Sequence, residues 1–323
     1  MRKEDLKIVF MGTPEFAVET LKALVENDYN VVAVVTQPDK PVGRHQTEMQ
    51  PSQVKQYAVA HGLPVLQPEK MKDPEFVEQL RSYNANLQVV VAFRMLPEVV
   101  WAMPEYGTFN VHAALLPQYR GAAPINWAVI NGETQTGVTT FFLDHDIDTG
   151  RIILKKTFDI PDEADVEYVY DGLMHLGAEI CLETLEAIIA ANGHPDSIPQ
   201  DSVLDGSAIK PAPKIFKETC EIDWKKTAKQ VYDFVRGLSP YPGAWTTLVA
   251  PDGKETVLKI YKTRKTGKPG KGIGTITIEG KALCVSAADE QQEIVELQLA
   301  GKKRMMARDF LNGMKQIEDY RVK

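Results

Sequence analysis

Asn110 and His112 stand two positions apart in the segment Gly107-Thr108-Phe109-Asn110-Val111-His112-Ala113-Ala114-Leu115-Leu116-Pro117. On a strand, that spacing turns both side chains to one face and leaves Phe109 and Val111 on the other. An amide and an imidazole at the end of an apolar strand are costly to bury unless they are hydrogen-bonded. In open α/β sheets, ligands bind beyond the carboxyl ends of the strands. The pair therefore reads either as site residues or as polar groups satisfied by neighbouring loops. Downstream, residues 139–143 are strand-like and empty into Asp144-His145-Asp146-Ile147-Asp148-Thr149-Gly150. Alternating carboxylates suggest a calcium loop, but the register fails. The sixth position is Thr149 and the twelfth Lys155, where Gly and Glu are needed. Asp148 gains weight as a site residue if the two strands run parallel, because its loop then leaves the sheet edge that carries His112. Spacing alone does not choose among the three aspartates.

An amide, an imidazole and a carboxylate, with no metal-ligand set and no Ser or Cys nucleophile, suit direct transfer of a carbonyl group between two nitrogens. Attack on a formyl carbon builds negative charge on oxygen, which an amide N–H and a protonated imidazole stabilise. The attacking amine must lose a proton and the leaving nitrogen must gain one, so a His and a carboxylate are apt. A second chemistry, dinucleotide binding, is disfavoured. Gly12-Thr13-Pro14-Glu15 follows an apolar segment but lacks G-x-G-x-x-G, and Pro14 and Glu15 fall where a phosphate needs close backbone approach. It reads as a tight strand-to-helix turn.

The elements that must position these residues are legible as alternating apolar runs and helical patterns. Residues 6–10, 31–36, 63–66 and 87–93 are near-continuous apolar strands, with helices at about 15–25 and 54–60 between them. Such strands belong to a parallel sheet covered on both faces, so the first half is a doubly wound α/β domain. Residues 165–192 keep a helical period through Val166, Val169, Leu173, Leu176, Ile180, Leu185 and Ile188, and Asn192-Gly193 stops the helix. Pro195, Pro199, Pro211 and Pro213 punctuate the next stretch, so a catalytic domain is expected over 1–192, a linker over 193–213 and a second domain over 214–323. The last opens with a helix at about 227–238. Beyond it, hairpins around Pro251-Asp252-Gly253 and Glu279-Gly280-Lys281 predict a small β-barrel.

Composition bounds the rest. With 323 residues, 44% hydrophobic and 25% charged, the chain is neither disordered nor fibrous. No apolar run is long enough to span a membrane, and the first residues lack a signal-peptide core. Cys181, Cys220 and Cys284 are far apart, which argues against a disulfide framework and fits a reducing cytoplasm. The net charge of −7 hides a split: residues 1–206 carry 15 Lys+Arg against 30 Asp+Glu, for −15, and residues 207–323 carry 22 against 14, for +8. An acidic half joined to a basic third points to two tasks, one of them facing a polyanion, or else to segregated surface charge.

Asn110-Val111-His112, Leu115-Leu116-Pro117-x-x-Arg120-Gly121 and Asp148-Thr149-Gly150 together resemble the folate-dependent formyltransferases. Val9-Phe10-Met11-Gly12-Thr13-Pro14-Glu15-Phe16, Thr36-Gln37-Pro38-Asp39-Lys40-Pro41, Gly121-Ala122-Ala123-Pro124-Ile125 and Leu299-Ala300-Gly301-Lys302-Lys303 extend the likeness over nearly the whole chain. The resemblance implies a formyltransferase α/β domain followed by an oligonucleotide-binding-like barrel. It implies 10-formyltetrahydrofolate as donor, the α-amine of methionyl-initiator tRNA as acceptor, no metal, and Asn110, His112 and Asp148 as catalytic residues. The folate pocket is expected along Phe93, Arg94, Met95 and Leu96, facing Ala114, Leu115, Leu116 and Pro117. RNA contacts are expected at Arg44 and at the basic cluster Lys302, Lys303, Arg304 and Arg308. A cytoplasmic monomer is expected. Three places depart from the family pattern: Ala114 stands where Ser is usual, the stretch 93–97 is one residue short, and the loop after Gly43-Arg44 lacks the usual lysines. The rival readings are formyl transfer to a sugar amine, a glycinamide ribotide or water, and a non-catalytic RNA-binding protein. The basic last third opposes the first, and the three catalytic residues standing together oppose the second.

Overall fold

A computed structural model describes residues 1–42, 48–314 and 316–323, so Arg44 lies outside the described residues. The chain forms two compact units. One comprises Met1–Gly121, Thr136–Asp159 and Tyr170–Pro211; the other comprises Ala122–Gln135, Ile160–Val169 and Ala212–Lys323.

The first unit is built on a seven-stranded sheet. Its order is Ile152–Asp159, Gln135–Phe142, Thr108–His112, Leu87–Val91, Ile8–Gly12, Val31–Val35 and Val65–Leu66. From Thr108–His112 to Val65–Leu66, neighbouring strands pair in parallel. The apolar runs are these strands, and Ile8–Gly12 and Leu87–Val91 are buried throughout, as a sheet covered on both faces requires. Strand order reverses direction between Ile8–Gly12 and Leu87–Val91, so their carboxyl ends flank the switch point at which such sheets bind ligands. Gly12 is fixed by crowding. A Cβ there would lie 2.6 Å from Ala17 Cβ and 2.9 Å from the Val91 carbonyl oxygen, so the turn into helix Glu15–Glu26 admits no side chain.

One expectation fails. Thr108–His112 and Gln135–Phe142 run antiparallel, with His112 opposite Thr139 and Phe109 opposite Phe142. The loop after Phe142 therefore starts at the opposite end of the strand from His112, with Leu143 N–H donating to the Thr108 carbonyl. Period-two alternation is the same for either strand direction, so the sequence pattern carries no information on this point.

The stretch 193–213 is docked over part of its length. Ile198 exchanges two backbone hydrogen bonds with Ile152, and Val203 packs against the buried cluster of Leu116, Phe141 and Ile152. The periodic segment beyond Asp165 is the helix Val166–Ala190.

The second unit holds a curled antiparallel sheet ordered Ile276–Glu279, Ala282–Ser286, Glu290–Leu299, Glu255–Pro269, Ala244–Val249 and Arg321–Val322. A bridge between Thr275 and Arg321 joins its two ends. Helix Ala228–Gly237 is opened by a reciprocal capping box between Thr227 and Gln230. Among the described residues, no helix is long and apolar enough to cross a membrane.

Candidate active site

His112 ends its strand with its side chain buried, and each ring nitrogen has a separate neighbour. Nε2 lies 2.9 Å from the backbone oxygen of Tyr119. A carbonyl only accepts, so Nε2 carries a hydrogen and Nδ1 is the nitrogen left to exchange protons. Nδ1 lies 3.9 Å from Oδ2 of Asp148, a carboxylate whose side chain is only 13% exposed. The same Oδ2 accepts the Gly121 N–H at 2.9 Å. Phe141 presents its ring edge-on to the imidazole, with centroids 6.3 Å apart. Of the three aspartates, Asp148 is thus the one paired with His112.

The other two aspartates shape the loop. Asp144 Oδ1 accepts from the Asp146 N–H and from the Thr149 hydroxyl, a local turn that needs no metal. Asp148 itself has φ of 56°, in the left-handed region. Ala92 (48°) and Tyr119 (61°) share that conformation. Each such residue costs of the order of 1 kcal/mol, and they sit on the loops that bound this site, where strain is commonly kept for positioning. Gly150 is required two residues on, because a Cβ there would fall 1.6 Å from the Phe142 carbonyl oxygen.

Asn110 lies between Val90 and Phe141 in the sheet, on the His112 face by strand alternation. Its Oδ1 is buried without a hydrogen-bond partner among the described residues. A buried acceptor left unmade costs about 1–3 kcal/mol, so an N–H arriving there gains a bond the fold itself does not supply.

The expected folate loops divide by what they touch. Ala114 and Leu116 are fully buried, Pro117 is buried and Leu115 half-buried. Thr139 ties this turn down, its hydroxyl donating to the Ala114 carbonyl at 2.6 Å and accepting the Leu116 N–H at 3.1 Å. Phe93 and Leu143 pack on one apolar cluster that includes buried Leu96, while Met95 is 71% exposed. Arg94 donates to the Glu69 carbonyl at 2.8 Å and to that of Pro68. Its Nε is buried without a partner among the described residues, and desolvation holds the guanidinium below its usual range.

Residues 6–185 match the family profile described as formyl transferase, and residues 214–315 match the formyl transferase C-terminal domain. This chain belongs to the formyltransferase family. Among its relatives, the methionyl-tRNA formyltransferase of Parabacteroides distasonis is 59% identical, with 100% of each chain covered. That of Bacteroides fragilis is 56% identical over 100% of this chain and 99% of its own length. Solved structures share the fold. HypX from Aquifex aeolicus, in complex with tetrahydrofolic acid, aligns with a TM-score of 0.62 at 20% identity, covering 96% of this chain and 47% of that one. The N-formyltransferase from Helicobacter canadensis, in complex with folinic acid and dTDP-3-aminofucose, aligns at 0.61 and 18% identity, covering 93% and 100%.

The basic cluster of this formyltransferase is uneven. Lys302 and Lys303 are exposed. Arg304 is held by Glu296 through two hydrogen bonds of 2.5 and 2.8 Å and stacks 4.2 Å from the Tyr261 ring centroid. That pairing keeps the Glu296 carboxyl below its ordinary range. Arg308 lies 3.9 Å from its neighbour Asp309. Sequence reasoning missed Gln200 and gave Arg120 no role, although both sit beside Asp148. The only signal for Gln200 was its place in a proline-punctuated stretch, which reads as linker.

Proposed function

We propose that this formyltransferase moves the formyl group of 10-formyltetrahydrofolate to the α-amine of methionyl-initiator tRNA. The observation that carries the reading is end-to-end identity of 54–59% with curated methionyl-tRNA formyltransferases. The pairing of His112 with Asp148, beside Asn110, supports the chemistry.

In this reading the neutral α-amine attacks the formyl carbon, and the carbonyl π electrons move onto oxygen. The Asn110 amide N–H and the Nδ1–H of protonated His112 receive that charge, since Nε2 is committed to Tyr119. Asn110 Oδ1 accepts an N–H of the incoming amine. Asp148, 3.9 Å from Nδ1, takes the proton that the attacking nitrogen sheds, directly or through water. Asp148 passes that proton on to the folate N10, directly or through water, as the bond from N10 to the formyl carbon breaks; the oxygen returns to a carbonyl and the carboxylate is restored. The apolar floor under Phe93 and Leu96, with the Leu115-Leu116-Pro117 turn, suits a flat pteridine edged by backbone polar groups. The +8 carried by residues 207–323, with exposed Lys302 and Lys303, suits a phosphate backbone.

Formyl incorporation into charged initiator tRNA tests this directly. Product should form only with 10-formyltetrahydrofolate, and neither a nucleotide-linked amino sugar nor glycinamide ribotide should be formylated at a comparable rate. Equal or faster formylation of either amine would overturn the acceptor, and release of free formate without tRNA would point to water.

A further inference from the structure

We infer that Gln200 is a positioning residue for the transfer, holding Asp148 in register with His112; this rests on the catalytic reading of Asp148. Gln200 is 3% exposed and uses both ends of its amide. Nε2 donates to the backbone oxygen of Asp148 at 2.8 Å and to that of Gly150 at 2.9 Å. Oε1 accepts from Nε and Nη2 of Arg120 at 3.0 and 2.7 Å. Arg120 directly precedes Gly121, whose N–H holds Asp148 Oδ2. One side chain therefore ties the loop carrying Asp148 to the turn that fixes its carboxylate.

The same stretch of chain also braces the histidine's side. Tyr119 N–H donates to the Lys210 carbonyl at 2.7 Å, and Lys210 N–H donates to Gln118 Oε1 at 2.7 Å. These bonds orient the Tyr119 carbonyl that receives His112 Nε2. A φ of 56° carries a modest cost for Asp148, and two N–H bonds converging on carbonyls 148 and 150 help to hold it. Gln200 itself is anchored by Val203 in the apolar cluster and by the paired bonds of Ile198 with Ile152. Glutamine fits because the position needs an acceptor toward a guanidinium and two donors toward carbonyls, which no carboxylate or hydrocarbon provides.

The test uses Gln200→Leu and Gln200→Glu in the full chain, with kcat and both KM values measured beside thermal melts. Gln200→Glu keeps an acceptor for Arg120 but turns an oxygen toward two carbonyls, so it should fare no better than leucine. Each should lower kcat by roughly 10–100-fold, with KM for donor and tRNA within about twofold, as misplacement of a reacting group does. In an Asp148→Asn background, Gln200→Leu should cost less than about threefold further, because it acts through the residue already disabled. Unchanged kcat in a folded Gln200 variant, a loss confined to KM, or full additivity with Asp148→Asn would each overturn the inference. If the leucine variant fails to fold, the glutamate variant decides on the same criteria. Should Asp148→Asn alone retain wild-type kcat, the catalytic reading has failed, an outcome distinct from a silent Gln200 beside an inactive Asp148→Asn.

Discussion

The surroundings of Asp148 and those of Lys302-Lys303-Arg304 are both charged, and they are built on opposite principles. Around Asp148 the groups are buried or half-buried and their bonds are shared: one carboxylate oxygen, one imidazole, one backbone N–H and one glutamine amide hold each other within a few ångströms. Around residues 302–304 the lysines are exposed, and among the described residues only the Arg304 side chain has an ion-pair partner. The contrast matches the tasks proposed for them. A proton transfer depends on placement to a fraction of an ångström, so its groups act as one unit and fail together. Attraction of a phosphate backbone depends on charge density, so its groups add nearly independently and yield to salt.

The sharpest attack on this contrast is at the pair itself. His112→Ala and Asp148→Asn should each lower kcat by roughly 10²–10⁴-fold with melting temperatures little changed. The double variant should be scarcely worse than either single one; additive losses would mean that the two residues do not work as a unit. Next in size is Asn110→Ala, with an expected drop of roughly 10²-fold in kcat and little change in folate affinity, because its amide serves charge present only in the transition state. Affinity lost while saturated turnover survives would make Asn110 a binding residue.

At the other region effects should be modest and graded. Replacing Lys302 and Lys303 by Ala should raise KM for charged tRNA and reduce the log–log salt slope by roughly 0.7–0.9 per lost phosphate contact, with kcat unchanged. Arg304→Ala should change the slope less than either lysine, since Glu296 already engages its guanidinium. An Arg304 effect equal to that of the lysines would show that the ion pair opens on RNA. The smallest effect is on stability. Glu296 titrates below its ordinary range when folded because Arg304 bonds it, so the pair stabilises the fold above the unfolded carboxylate range, and that contribution is lost as pH falls through the lowered value. The side chains are 41% and 25% exposed, so the contribution is well under about 1 kcal/mol. Melts of wild type and Arg304→Ala should converge as acid is added; a gap that persists in acid would assign it to the stacking on Tyr261.

How far the sequence reaches can be judged residue by residue. The apolar strands of the first unit were legible because a buried strand needs an apolar run, and the helix opened by Thr227 because a capping box is a local signal. Gly12 was legible as a tight turn, and the 2.6 Å approach of Ala17 gives the reason. Several strands went unread: Glu290–Leu299 carries Glu, Gln and Val in a mixed pattern, and pieces such as Met305–Met306 and Arg321–Val322 are too short to show a period.

By itself the sequence determined the apolar strands of the first sheet and the helices with a clear period or cap, the two-residue spacing that sets Asn110 and His112 on one face, and the charge contrast between −15 and +8. Which aspartate meets His112 was beyond its spacing, because the choice depends on strand direction and on the path of a nine-residue loop, 143–151. Tertiary structure decided both. It set Gln135–Phe142 antiparallel and still brought Asp148 to His112, by bonds from Gly121 and from Gln200. Gln200 lies 52 residues beyond Asp148 in the chain. Periodicity and capping act over a few residues, so they leave a record in the local sequence. A hydrogen bond between distant segments leaves none, and at this site such bonds do the positioning.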